Sequence, residues 1–406
     1  MKRILYISYD GMTDQLGQSQ VIPYLIGLSK AGYAITIVSF EKEGNYAKKM
    51  EYIKELLTTN KIIWKPLTYT KKPPVVSTMY DVYRMKMLAM NLHRETPFDA
   101  VHCRSYISAL VGLFMKRKHG IKFIFDMRGF WADERVDGGL WNLNNPLYRL
   151  LFYYFKRKEK AFFTEADYTI SLTEAGRREV IQLINPAKPM KIQVIPCCVD
   201  TDLFSQDQIE ASKREAMAKE LGITNDDFII SYLGAIGTWY MMEEMMQFFT
   251  RLLLQRPNAK FLFITNEAPE AIYEIAARYA ISLSSILIRE ATRAEVPMVL
   301  SLSRLSIFFI RPTYSKIASS PTKMGEIMSM GIPIICNTGI GDVAENIGAC
   351  GAVIDTFSEA EYDKIIHSLP SLLSIPKDTI RKRAIELFSL RKGIQLYREV
   401  YSSMFL

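Results

Sequence analysis

The sequence predicts an α/β protein of two domains, each built on a doubly wound parallel sheet. Three observations lead there. At 406 residues the chain exceeds what one ordinary core organises and suits two domains of roughly 150–200 residues. Its first half alternates short apolar runs with helical stretches, and strands separated by helices imply parallel pairing. A second series of the same kind begins after Val194-Ile195-Pro196. Hydrophobic residues at 49% and charged residues at 23% are the proportions of a folded globular chain and argue against extended disorder.

Met1-Lys2-Arg3 with Ile4-Leu5-Tyr6-Ile7 imitates the start of a signal peptide, but the apolar run ends at Asp10 and no h-region follows. Arg3 to Ser8 is therefore read as the first strand. A helix is expected from about Gln18 to Ala31, a strand from Ala34 to Phe40, a helix near Tyr46 to Leu57 and a strand from Trp64 to Leu67. The alternation continues with a helix near Met79 to Arg94, a strand at Ala100 to Cys103, a helix near Ala109 to His119 and a strand at Lys122 to Asp126. In the second series, strands are expected at Phe228 to Leu233, Lys260 to Thr265, Ile286 to Ile288, Leu305 to Ile310 and Ile332 to Cys336, again with helices between. Tyr397, Val400 and Tyr401 stand at helical spacing and close the chain. The expected division is 1–200, 201–388, and a terminal helix over 389–406 that packs back toward the first domain.

A net charge of +8 favours acidic partners, whether phosphorylated small molecules, anionic lipid or nucleic acid, and does not choose among them. Cys103, Cys197, Cys198, Cys336 and Cys350 show no paired metal spacing, and the adjacent Cys197-Cys198 are awkward disulfide partners. A reducing cytoplasm is the expected location. No window approaches the roughly 18 apolar residues of a membrane-spanning helix, so membrane contact is expected from one side only.

In open parallel sheets ligands sit beyond the carboxyl ends of the strands. Asp10 to Gln20 follows the first strand, and Gly17 would let the backbone approach a ligand; a flexible turn fits equally well. The Gly-x-Gly-x-x-Gly spacing is missing, which excludes a dinucleotide fingerprint. The stretch from Asp126 to Arg135 concentrates Arg128, Asp133, Glu134 and two aromatics after one strand, more chemistry than a plain connector needs. Arg104 occupies the equivalent place after Val101-His102-Cys103, with a planar fork suited to phosphate or carboxylate, whereas His102 is read as a buried structural residue. Gly234-Ala235-Ile236-Gly237-Thr238-Trp239-Tyr240 offers two glycines that let backbone N–H groups face an anion, and aromatics for a base, a sugar or simple packing. Ser319 to Ile335 reads as loop, helix and strand. Lys323 stands beside a helix start, where positive partial charge seats a phosphate, and Glu326 can accept hydrogen bonds from sugar hydroxyls; the alternative is a surface helix. Gly339 to Glu345 fits a ligand contact or a plain turn.

Together these stretches make the chain resemble the family 4 glycosyltransferases of bacterial surface-polysaccharide type, whose GT-B fold has two Rossmann-like domains facing a cleft. Gly17-Gln18-Ser19-Gln20 is similar to the amino-terminal glycine loop, and Glu165 to Thr173 to the segment closing the first domain. Val194-Ile195-Pro196-Cys197-Cys198-Val199-Asp200 with Phe204 is similar to an Ile-Pro-Asn-Gly-Val-Asp linker, Cys-Cys replacing Asn-Gly, and Lys323 to Pro333 to the donor-binding helix. The departures are specific. The family usually shows two Glu separated by seven residues; Glu326 matches the later one, and Ala318 stands at the earlier. Ala235 and Tyr240 occupy the places nearest the family's diphosphate-binding Arg and Lys.

The resemblance implies a metal-independent hexosyltransferase, retaining in outcome, with a nucleotide diphosphate sugar as donor substrate and no cofactor. It places Gly17, Gly237, Thr238, Trp239, Arg311, Lys316, Ser320, Lys323 and Glu326 on the donor. Asp126, Arg128, Asp133 and Glu134 fall to catalysis and Arg104 to a glycan or lipid-linked acceptor. Arg311, Lys316 and Lys323 would then supply the missing cations. No nucleic acid partner is expected. Pro146 to Lys160 reads as a helix with aromatic mass and a basic end, either lying on an anionic membrane at the inner face of the cell membrane or serving as a core helix with solvated lysines. A sugar-nucleotide epimerase and a non-catalytic sugar-nucleotide-binding protein are the rival readings.

Overall fold

Buried strands alternating with half-buried helices assemble two parallel sheets in the computed structural model, which describes residues 1–405. One unit holds Met1–Pro196, Ile317–Ser319 and the chain from Leu390 on; the other holds Cys197–Lys316 and Ser320–Ser389.

The strands of the first unit are β1 (Arg3–Ser8), β2 (Ala34–Glu41), β3 (Ile63–Thr68), β4 (Ala100–Arg104), β5 (Lys122–Asp126), β6 (Tyr168–Ser171) and β7 (Ile192–Val194). They pair in parallel in the order 3-2-1-4-5-6-7. Helices cover both faces, so the central strands are continuous apolar runs rather than alternating ones. These helices are α1 (Gln15–Gln20), α2 (Ile22–Lys30), α3 (Glu43–Thr59), α4 (Val76–Glu95), α5 (Ser105–His119), α6 (Trp131–Asp137), α7 (Pro146–Glu165) and α8 (Glu174–Ile184). The expected helix over 18–31 begins earlier and breaks at Val21, with φ −129° and ψ −65°. Pro23 near the start of α2 suits the restart.

The strand order reverses between β1 and β4, the position at which open α/β sheets bind ligands. Register places Ser8 beside Arg104, and Arg104 beside Asp126, at the carboxyl ends of three adjacent strands.

The second unit comprises α9 (Ala211–Glu220), β8 (Phe228–Leu233), α10 (Met242–Gln255), β9 (Ala259–Ile264), α11 (Glu270–Arg278), β10 (Ile286–Arg289), α12 (Val296–Leu300), β11 (Leu305–Ile307), α13 (Thr322–Ser329), β12 (Ile334–Asn337), α14 (Val343–Ile347), β13 (Gly351–Ile354), α15 (Glu359–Leu373) and α16 (Lys377–Phe388). Its parallel order is 10-9-8-11-12-13, reversing between β8 and β11. β11 is shorter than the apolar run predicts because Asn337 takes over the ladder: its side chain accepts from the Ile310 amide and donates to the Ile310 carbonyl, both at 2.8 Å. β12 starts after Pro333, which has no N–H to donate. β13, a short edge strand opening on Gly351, has no counterpart in the sequence reading.

α13 is not the surface helix of the alternative reading. Every residue from Lys323 to Ser329 is buried. The last helix, α17 (Leu390–Phe405), buries Tyr397, Val400 and Tyr401 as their spacing predicts, and Ile394 meets Gly27 of α2 within the first unit.

Candidate functional site

In the second unit the site is built around Lys323, on the first turn of α13. Its ammonium lies 3.7 Å from the ring centroid of Tyr240 and 4.2 Å from that of Tyr232, with Phe308 at 5.9 Å. It donates to the Tyr232 hydroxyl at 3.1 Å, and that hydroxyl donates to the Ala235 carbonyl. Gly234, at φ +122°, makes the space: a Cβ there would sit 2.9 Å from the Lys323 Nζ. Burial pushes the Lys323 pKa down to about 7, with the Glu326 charge pulling weakly the other way. Aromatic faces stabilise the charged form, but only in part offset the loss of water.

Glu326, one turn on, accepts from Arg293 at 2.6 Å, and the Arg293 guanidinium lies over Phe204 at 5.3 Å. Lys316 is buried with its Nζ 3.6 Å over the Trp239 ring. Gly237 and Thr238 are exposed in the turn that leads there, closed by the Tyr240 amide donating to the Gly237 carbonyl at 2.8 Å. Thus Lys316, Lys323, Glu326 and the Gly234–Tyr240 turn come together. Two donor candidates stand apart in character. Arg311 is exposed, and its tie to the turn is its backbone amide on the Trp239 carbonyl. The Ser320 hydroxyl accepts from the Cys197 amide at 3.2 Å, a chain anchor. Tyr232 and Arg293 were missed. The signal for Tyr232 was its place one residue before the end of the strand feeding the glycine turn; Arg293, in a loop 33 residues from its partner, gave none.

In the first unit Asp126 is buried at the end of β5. Tyr397 donates to its Oδ2 at 3.1 Å, His102 Nε2 lies 3.7 Å from the same oxygen, and Arg128 lies 3.8 Å from Oδ1. Burial alone would raise this carboxyl, but Arg128, His102 and Arg104 together outweigh it and hold the pKa below the usual range. His102 is shifted down by burial against the pull of Asp126, so it rests neutral, its Nδ1 paired with the Tyr401 hydroxyl at 2.8 Å. Arg128 adopts φ +59°, a left-handed backbone costly for a side-chain-bearing residue. Arg104 is buried; its Nε lies 3.3 Å from Asp10, and one terminal nitrogen has no hydrogen-bond partner among the described residues.

Three sequence expectations change here. Gly17 lies inside α1, not in a loop, and packs so closely on the preceding segment that a Cβ would sit 2.7 Å from the Met12 Cα. Asp133 and Glu134 lie on α6, not in a loop. Asp133 is drawn to Lys156 at 2.8 Å, and Lys156 also pairs with the buried Glu159 at 2.5 Å, which accepts from Tyr106. That ion network fastens α6 to α7 and leaves Asp133 committed to structure.

Residues 21–203 match the family model described as Glycosyltransferase Family 4. That match lies almost wholly in the amino-terminal unit and covers less than half of the chain. Solved structures extend the likeness to the whole chain. A Rickettsia africae glycosyltransferase has a TM-score of 0.72 at 16% identity, covering 100% of this chain and 98% of that one. The Anabaena protein HepE, solved with UDP and glucose, has a TM-score of 0.71 at 14% identity over 99% of this chain and all of that one. The Neisseria meningitidis UDP-GlcNAc 2-epimerase, solved with UDP-GlcNAc, reaches 0.61 at 13% identity over 99% and 100%. At these identities the likeness establishes the fold, GT-B, and nothing finer. No curated protein matches the sequence.

Proposed function

We propose that the protein is a retaining glycosyltransferase, of hexosyltransferase type and metal-independent, that moves a sugar from a nucleotide diphosphate sugar to a glycan or lipid-linked acceptor in cell-surface polysaccharide synthesis. The observation that carries this reading is the buried Lys323 ammonium beside the α13 N-terminus, above the ring of Tyr240. Tyr240 stands where the family's diphosphate-binding Lys is expected, so Lys323 supplies a cation at the place vacated, and Lys316 a second over Trp239. Glu326, fixed by Arg293, has a free second oxygen lone-pair set for donor hydroxyls.

In the proposed step the bond from the anomeric carbon to the diphosphate breaks and the bond to the acceptor oxygen forms on the same face. The acceptor proton leaves with the diphosphate oxygen. Most of the catalytic demand is charge on the departing diphosphate, which cations and helix N–H groups meet in a poorly hydrated site. Asp126 with Arg128 and Arg104, at the switch point of the first unit, takes the acceptor side. A lipid-linked acceptor would bring the protein to the inner face of the cell membrane.

The test is nucleoside diphosphate release from a panel of nucleotide sugars, with and without extracted lipid-linked glycans. Release that depends on acceptor and falls at least about a hundredfold in Lys323→Met supports the reading. Interconversion of the sugar without release points instead to epimerase chemistry, and binding without turnover to a non-catalytic protein; either sinks the proposal.

A further inference from the structure

Helix α4 carries an apolar row that the fold of the first unit leaves uncovered. Val76, Met79, Tyr80 and Tyr83 are 60%, 67%, 54% and 60% exposed, at i, i+3, i+4 and i+7, one stripe along two turns. The opposite face holds the helix in place. Its buried row is Ser77, Asp81, Met85 and Ala89, and Asp81 accepts from the Tyr9 hydroxyl at 3.0 Å, the Thr70 amide at 3.0 Å and the Thr70 hydroxyl at 2.8 Å. A buried, fully engaged carboxylate on the inner face fixes the helix rotation, so the outward aim of the stripe is built in rather than incidental.

A second such row lies on α7, where Leu147, Leu150, Tyr153 and Tyr154 are exposed. α5 packs against both helices, which places them on the same side of the sheet. The charges beside the rows are mostly positive, and the helices' terminal acids, Glu95 and Glu165, stand at their far ends. Lys71 and Lys72 precede α4, and Arg149, Arg157 and Lys160 stand exposed on α7. From 69 to 94 the single acidic residue is Asp81, and from 146 to 164 it is Glu159; both are buried and paired inward.

We propose that the outward rows of α4 and α7 form a docking surface for an anionic lipid bilayer. This names the surface for the membrane contact of the preceding reading and rests on that reading for its purpose. Exposed aromatics sit at the headgroup boundary while Lys and Arg reach up to phosphates. Nucleic acid fits less well: Val76, Met79, Leu147 and Leu150 have no base to stack on, whereas acyl chains accept them. Each basic residue near an anionic surface strengthens partitioning roughly fivefold.

Sedimentation with vesicles of phosphatidylcholine alone, or mixed with phosphatidylglycerol, tests this without donor or acceptor, so its failure leaves the transferase reading standing. Binding is expected to the anionic vesicles only and to fall with added salt. Tyr80→Glu with Tyr83→Glu, and separately Leu150→Glu with Tyr153→Glu, should each weaken it roughly twentyfold or more. Lys219→Gln with Lys382→Gln, exposed positions of the second unit, should leave it within about twofold at the same net-charge loss. All these side chains are exposed, and unchanged unfolding midpoints verify folding. Indifference of the native protein to anionic lipid, retention of binding by both double variants, equal competition by single-stranded RNA, or a solution dimer that buries the stripe would each overturn the proposal.

Discussion

Replacing Lys323 with Met should change how the stability of this protein depends on pH. Lys323 is buried among three aromatic rings with its pKa lowered from 10.5 to about 7. The unfolded chain therefore holds the proton up to about pH 10.5, while the folded protein has released it from about pH 7 upward. Between those limits the unfolded state binds more protons, so stability rises with pH, by at most ~1.4 kcal/mol per pH unit from this one group. Below pH 7 the full penalty of a buried charge is present, on the order of 5 kcal/mol before relaxation. Lys323→Met removes the titrating group and keeps the volume. Urea unfolding at several pH values across this window should show the variant more stable than the native protein on the acid side, the advantage shrinking steadily as pH rises. Parallel curves for the two proteins would refute the reasoning, since no proton would then be linked to Lys323. A diphosphate seated at the ammonium would pull the proton back. With UDP as probe near pH 8, binding should take up nearly one proton, read from binding enthalpies in buffers of different ionisation heat, and uptake should vanish in Lys323→Met.

Gly234→Ala places a Cβ 2.9 Å from the Lys323 Nζ at φ +122°; UDP affinity measured calorimetrically should fall at least about tenfold while the second unit stays folded. Ala318→Glu should not restore the missing family carboxylate, because Ala318 is fully buried against Gly176 in the first unit. Overpacking and an unpaired buried charge should instead cost about 2–4 kcal/mol in chemical unfolding. Asp126 is held ionised by Arg128, His102 and Arg104 against its burial, so its contribution is present above the unfolded carboxyl pKa and lost as pH falls through the lower folded value. Asp126→Asn should therefore destabilise by about 2–4 kcal/mol near neutral pH, and its unfolding curve should flatten on the acid side relative to the native protein.

The strands were the most legible part of the sequence because helices bury them on both sides, and burial on both sides writes itself as an uninterrupted apolar run, as in Ile4-Leu5-Tyr6-Ile7 and Phe123-Ile124-Phe125. The run over Leu305–Ile310 shows the limit. Hydrophobicity reports burial, not ladder pairing: Phe308–Ile310 are all buried, yet the hydrogen bonds of Ile310 go to the side chain of Asn337, 27 residues away. Edge strand β13 opens on Gly-Ala and has too little side chain to register.

Site residues were legible by type and place, and illegible wherever a distant partner decides the role. Asp133 and Asp126 look alike in sequence, seven residues apart in one stretch. Lys156 draws the first into a helix-to-helix ion network, while the terminal helix brings Tyr397 to the second from 271 residues away. Lys323 makes the same point more sharply. A lysine among Ser, Thr and Glu reads as solvated, and only Tyr232, Tyr240 and Phe308, arriving from three separate segments, turn it into a buried cation. Taken alone, Tyr240 reads as a loss of function, standing where a family Lys is expected. With the Lys323 ammonium 3.7 Å above its ring, the same tyrosine holds a cation of α13 beside the glycine turn, so the charge missing at position 240 is present next to it. Tyr240→Lys should accordingly not add a second useful charge. Two ammonium groups sharing one small cage would repel, and UDP affinity should fall in the single variant and recover in part when Lys323→Met is added.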